Sequence, residues 1–240
     1  MSASRTLTET IELHLDALYE RDAAGFLLRP RGSPIPSPRV HLVRSTEGNR
    51  WLLSTAVPAS LRGAVERLLA SEPILDPIEA IEQRPPACRD ALFALLAGTR
   101  PPTHEYRGPA FTFPQTLPEP SSSVAVLGSA DEAHPHPELA WLAAFDEVDR
   151  PIVVARNDGG QAVAQCHAAR PGPASAEAGL EVVEAYRRRG LARAVTLGWA
   201  RAVRAGGRVP LYSTSWENEA SRATARSLGL LPYAEDWHFG

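Results

Sequence analysis

Apolar positions along the chain recur with two periods, and the switch between them marks its elements. Leu180, Val182 and Val183 give Glu177 to Val183 the character of a strand. After Gly190 the apolar positions Leu191, Val195, Trp199 and Val203 return every fourth residue, as on one face of a helix. The reading is strand, tight turn, helix, followed by a further strand at Val209 to Ser215 and a helix through Arg226 that ends at Leu228-Gly229-Leu230. Upstream, Val124 to Leu127 reads as a short strand and Pro137 to Val148 as a helix begun by proline. Ile152 to Arg156 and Ala162 to Ala168 read as strands joined by the turn Asn157-Asp158-Gly159-Gly160. A strand followed by a helix and another strand implies parallel pairing, so the expected fold is mixed α/β.

The first half is patterned differently. Thr8 to Glu20 carries Ile11, Leu15 and Leu18 at helical spacing, with a Thr near its start. Four prolines between Pro30 and Pro38 forbid helix and predict an extended loop. Val40 to Ser45 and Arg50 to Thr55 read as a hairpin turning at Glu47-Gly48-Asn49; Pro58 to Ala70 and Arg89 to Ala97 read as helices. Arg107 to Gln115 is an extended aromatic segment and Leu117 to Ser123 a Pro/Ser linker. Fifteen of the 22 prolines precede residue 121, which places a domain boundary near residue 120: an α+β accessory domain at 1–120 and a second domain at 121–240.

Composition narrows the chemistry. With 240 residues, 44% hydrophobic and 22% charged, the chain can bury a large core. A net charge of −3 supplies no footprint for nucleic acid. Every basic residue is Arg, so a phosphate-loop lysine and a Schiff-base lysine are excluded. Cys88 and Cys166 are too few for a disulfide framework. The N-terminal residues mix acidic with apolar ones, unlike a signal peptide, and no apolar run reaches the ~20 residues of a spanning helix; a cytoplasmic location without membrane contact is expected. The histidines lack metal-ligand spacing and no serine sits in a Gly-x-Ser-x-Gly elbow, so neither a metal nor a serine nucleophile is expected.

The turn at Arg187-Arg188-Arg189-Gly190-Leu191-Ala192 opens a helix, whose first N–H groups and partial positive charge suit an anion such as pyrophosphate. Gly190 lets the backbone approach that anion, Ala192 keeps the first turn uncrowded, and the arginines add donors at the rim. Arg187-x-x-Gly190-x-Ala192 resembles the Gln/Arg-x-x-Gly-x-Gly/Ala pyrophosphate loop of the GNAT superfamily of acyl-CoA N-acyltransferases. The later Trp216-Glu217-Asn218 and Leu228-Gly229-Leu230 resemble that family's next helix start and its Leu-Gly-Phe ending. The resemblance covers roughly residues 123 to 240; the first half would be a divergent accessory unit, or a degenerate copy whose remnant is the hairpin and helix at 40–70.

The resemblance implies a division of labour. Arg188, Arg189, Gly190, Leu191 and Ala192, with Arg187, would hold the pyrophosphate of acetyl-CoA. Strands 180–183 and 211–215 would splay apart, so that pantetheine pairs with the backbone at Val182 and Val183, with side-chain contacts from Asn218 and Ser221. Asn218 and Ser215 are equally suited to cap the next helix. The base would be a carboxylate: Glu177 and Glu181 flank Gly179 on one face of a strand, and one could serve while the other orients it, unless both merely pair with arginines or face solvent. Where many family members carry a Tyr, seven residues after Asn218, this chain has Ala225. Protonation of the leaving thiolate would then fall to Tyr212, Ser213 or Ser221, or the thiolate leaves unassisted. Trp216, Trp237, Phe111 and Phe113 line an acceptor pocket or fill cores, and the loop at 30–38 and the segment at 107–114 would shape the acceptor side.

These readings lead to an N-acetyltransferase acting on a small-molecule or peptide amine by direct attack in a ternary complex, with no metal, nucleic acid or membrane partner and with room for a homodimer. The rival is a non-catalytic acyl-CoA-binding regulatory module. A weaker alternative makes the first half a protein-interaction domain that delivers the second to a partner.

Overall fold

The computed structural model describes residues 5–75, 84–120 and 123–240; residues 121 and 122 of the expected linker lie outside them. In chain order the elements are α1 (Leu7–Leu18), β1 (Tyr19–Arg21), β2 (Leu27–Pro30), β3 (Val40–Arg44), β4 (Arg50–Leu53), α2 (Ala59–Ala70), α3 (Arg89–Ala97), β5 (Tyr106–Thr112), β6 (Ala125–Val126), β7 (Val153–Arg156), β8 (Ala162–Pro171), β9 (Ser175–Val182), α4 (Leu191–Ala205), β10 (Val209–Ser213), α5 (Glu219–Ser227) and β11 (Leu231–Phe239). The fold is mixed α/β. From β7 to α5 the order of elements is the one expected from the sequence.

Nine strands form one sheet in the order β4-β3-β11-β5-β10-β9-β8-β7-β6, and β1 and β2 pair separately. Only β9 and β10 run parallel; the other pairs of the large sheet are antiparallel. Side-chain alternation decides what covers each face. Ala176, Ala178 and Leu180 of β9 turn to α4, whose Val195, Trp199 and Val203 are fully buried, as the helical spacing predicts. On the other face lies α1, where the Leu13 carbonyl accepts a hydrogen bond from Ser175 Oγ at 2.6 Å. The amphipathic N-terminal helix is thereby fixed over the part of β9 that carries Glu177. Its start is secured by Thr6 and Glu9, each side chain accepting from the other's backbone N–H (3.2 and 2.8 Å).

The residue-120 boundary falls between β5 and β6, which occupy separate places in the same sheet. The aromatic segment expected at 107–115 is a strand inserted between β10 and β11. Gly108 permits that insertion, because a Cβ there would lie 1.9 Å from the Thr214 carbonyl oxygen. Phe111, Phe113 and Trp237 are core residues, as the core reading has it; they do not line the acceptor side. The helix expected at Pro137 to Val148 is instead two 3₁₀ segments, Pro137–Ala144 and Glu147–Asp149. Leu139 leaves helical geometry (φ −114°, ψ 27°), Phe145 is extended, and the Asp149 carboxylate accepts from the Asp146 N–H at 3.0 Å to start a new turn.

Candidate functional site

Gly190 adopts the left-handed conformation (φ 78°) from which α4 departs, which explains glycine at that position. The N–H groups of Leu191, Ala192 and Arg193 make no hydrogen bond among the described residues; the first one used is that of Ala194, to the Gly190 carbonyl at 3.1 Å. Three donors and the helix dipole thus open onto a cleft of about 890 Å³ between β9, β10 and α5. Arg187, Arg188, Arg193, Val182, Val183, Asn218 and Ser221 border it as well. Arg189 does not: its guanidinium lies 5.0 Å from the centre of the Tyr186 ring and donates to the Ala185 carbonyl. Arg193, which the motif did not single out, takes its place on the rim, anchored by a 3.1 Å bond from Nε to the Ser227 carbonyl.

Asn218 is a helix cap, its side chain accepting from the Ser221 N–H at 3.0 Å, while still bordering the cleft. The Val182 carbonyl already accepts from Arg187 Nε at 3.3 Å. Tyr212 is buried with its hydroxyl 2.6 Å from Ser221 Oγ. Burial pushes that phenol up to about 12, against the hydrogen bond with Ser221. Ala225, seven residues after Asn218, is sealed in the core under α4.

The parallel pairing of β9 and β10 is short: Val209 with Ser175, Pro210 with Ala176, Leu211 with Glu177. Beyond that last pair the strands are no longer partners, although β9 continues to Val182 and β10 to Ser213. The gap expected between strands 180–183 and 211–215 is therefore present, and Glu177 stands at its vertex. A second hollow of about 810 Å³ lies on the α1 face, and Ser213, at the end of β10, borders both it and the cleft.

Glu177 is 6% exposed, accepts a hydrogen bond from Ser213 Oγ, and has no ion-pair partner among the described residues. Glu181 shares its face but lies four residues, roughly 13 Å, further along the strand. It is exposed and bonded to Gln165 Nε2 at 3.1 Å. The two carboxylates do not meet, so Glu181 does not orient Glu177. The two expected at a shared centre are held apart because β9 is extended.

Residues of the first half complete the second hollow: Tyr19, His41 and Tyr106, with Ile35, Pro36 and Pro38 of the proline-rich loop. Asp236 anchors its floor, with His41 Nε2 at 3.0 Å and His14 Nε2 at 3.1 Å. Burial opposes the charge on Asp236, but these histidines overcome it and hold the carboxyl well below its usual range. His238 is stacked between His41 and Tyr106; burial and the neighbouring His41 push it down to about 3, so it is neutral. Burial, reinforced by the Asp236 and Glu177 charges, raises Tyr106 above the usual phenol value, so its hydroxyl stays protonated. The histidines missed as functional candidates are thus gathered here by β3 and β11, from opposite ends of the chain.

Solved structures similar to this chain include a GNAT-family acetyltransferase structure from Novosphingobium aromaticivorans (20% identity, TM-score 0.46), which matches 57% of this chain and 65% of its own length, under two thirds. A GCN5-related N-acetyltransferase from Kribbella flavida matches 99% of this chain and 96% of its own (17% identity, TM-score 0.49). A tandem GNAT protein from the clavulanic acid biosynthesis pathway matches 97% and 94% (16% identity, TM-score 0.46). The likeness concerns the fold. No family model matches the chain, and no curated protein matches it. Among the described residues no helix is long and apolar enough to cross a membrane, and no cluster of His, Cys, Asp and Glu is arranged to hold a metal ion.

Proposed function

We infer that the protein is an acetyl-CoA-dependent N-acetyltransferase. The observation that carries this reading is the parting of β9 and β10 at the Leu211–Glu177 pair, beside which a cleft headed by three free helix N–H groups and a hollow that presents a carboxylate without an ion pair are both bordered by Ser213. Leu191, Ala192 and Arg193 N–H, with the Arg187 and Arg188 guanidiniums, would hold the pyrophosphate. The backbone near Val182 and Val183 would align the pantetheine arm. Acetyl-CoA supplies an acetyl group activated as a thioester.

Glu177 takes a proton from the acceptor ammonium, directly or through water, and the freed amine nitrogen attacks the thioester carbonyl carbon. A C–N bond forms, the C–S bond breaks, and the electron pair leaves on sulfur. The second proton of the attacking nitrogen goes to solvent or to the thiolate. Tyr212 is poorly matched to protonate that sulfur. A phenol near 12 giving its proton to a thiolate whose conjugate acid is near ~8.5 is uphill by roughly three orders of magnitude. Unassisted departure follows, and Tyr212→Phe should cost less than about tenfold in kcat, since a dedicated acid contributes about a hundredfold or more. A larger loss with unchanged acetyl-CoA affinity would make Tyr212 the acid.

Amine-dependent release of free thiol from acetyl-CoA tests the reading as a whole. Thiol release with one or more amines supports it; tight acetyl-CoA binding with no release for any amine would favour the regulatory module.

A further inference from the structure

The acceptor hollow carries a second charged group of the opposite sign. Arg170 of β8 is the cross-strand partner of Glu177 on β9, and both side chains border the hollow. Opposite charges in such a register ordinarily pair. Here they make no ion pair: a bulge between Ala168 and Arg170 shifts the register, and Arg170 Nη1 donates to the carbonyls of Arg31 (3.3 Å) and Ala169 (3.0 Å). The other guanidinium nitrogens of Arg170 make no hydrogen bond among the described residues. Asp236, the other carboxylate of the hollow, is taken up by His14 and His41. Glu177 and Arg170 therefore face the same space from adjacent strands without pairing; Arg100, which also borders the hollow, is exposed and lies outside the sheet, just past α3. An acceptor without an anionic group would leave the Arg170 guanidinium without an ionic partner, and its ammonium at Glu177 would lie near that second positive charge.

We propose that the acceptor is a free amino acid with an apolar side chain, its amine at Glu177, its carboxylate at Arg170 and its side chain against Leu18, Ile35, Pro36 and Pro38. A guanidinium binds a carboxylate with two parallel hydrogen bonds, which would fix the amine at the vertex of the gap where the thioester arrives. This rests on the acyltransferase reading, and its test separates the two.

The full chain, with CoA present, is titrated calorimetrically with L-leucine and L-phenylalanine, with their methyl esters, and with isopentylamine and phenethylamine. Thiol release from acetyl-CoA is followed with the same six compounds. The amino acids should bind at least about tenfold more tightly than their esters and amines and show KM values lower by a similar factor. Arg170→Ala should abolish that preference by weakening the amino acids alone, with the amines bound no more weakly than before and acetyl-CoA affinity retained, and Arg170→Lys should restore part of it. Esters or amines that bind as well as the amino acids overturn the proposal, as does an Arg170→Ala variant that weakens all six alike, which is what a merely structural tie to Arg31 would do. If no compound releases thiol, the acyltransferase reading fails and the calorimetry alone decides: amino-acid binding lost in Arg170→Ala upholds carboxylate recognition, and no amino-acid binding to the native chain rejects it.

Discussion

Acetyl-CoA should bind the native chain and bind Ala192→Glu at least about a hundredfold more weakly. Ala192 lies in the first turn of α4, borders the cleft, and belongs to the three N–H groups that have no partner. A carboxylate there would fill the space for a pyrophosphate and set a negative charge against it, while glutamate remains a good helix former at a partly exposed position. Gly190 is the less clean site for the test, because its φ of 78° strains any other residue and would disturb the loop itself. Calorimetric titration reads the outcome, and an unchanged melting temperature shows that the fold is retained. Equal affinity in the two proteins would remove the helix end from the account.

Glu177→Gln should lower kcat by roughly two to four orders of magnitude with acetyl-CoA affinity almost unchanged. The glutamine oxygen can still accept the hydrogen bond from Ser213, so the substitution keeps shape and loses basicity. Glu181→Gln should stay within about threefold, since Glu181 is exposed and tied to Gln165 away from the vertex. Steady-state kinetics on both variants checks this. A comparable loss in Glu181→Gln, or a full-rate Glu177→Gln, would move the base elsewhere.

What the residue pattern made legible is what is encoded locally. The α4 stripe, the Gly190 turn, the 40–53 hairpin and the Asn157–Gly160 turn each depend on spacing within a few residues. The strand β11 escaped notice because Pro232, Glu235 and Asp236 look like loop residues. Glu235 and Asp236 become strand residues only because partners distant in sequence neutralise them: Arg44, 191 residues away, bonds Glu235 through Nε at 2.8 Å, and His41, 195 residues away, holds Asp236. The same holds for the site. Period two put Glu177 and Glu181 on one face, but it carried no signal that β10 pairs with β9 only as far as Glu177, or that β3 and β11 would bring His41 and His238 to the hollow beneath it, with His14 of α1 buried against Asp236. The insertion of β5 beside β10 was likewise invisible, since it joins a strand from before the proposed boundary to strands from after it. A fragment of residues 121 to 240 therefore lacks the strand between β10 and β11, and is not a fair test of what the second half does alone.

The central claim is that one gap between two strands connects the acyl donor to the base. A structure of the protein with acetyl-CoA bound tests it most directly. The account predicts the pyrophosphate on the N–H groups of Leu191, Ala192 and Arg193, the pantetheine arm running between β9 and β10, and the thioester at the vertex beside Ser213 and Glu177. Acetyl-CoA bound elsewhere, or a thioester on the far side of the sheet from Glu177 with no path through the gap, would contradict it.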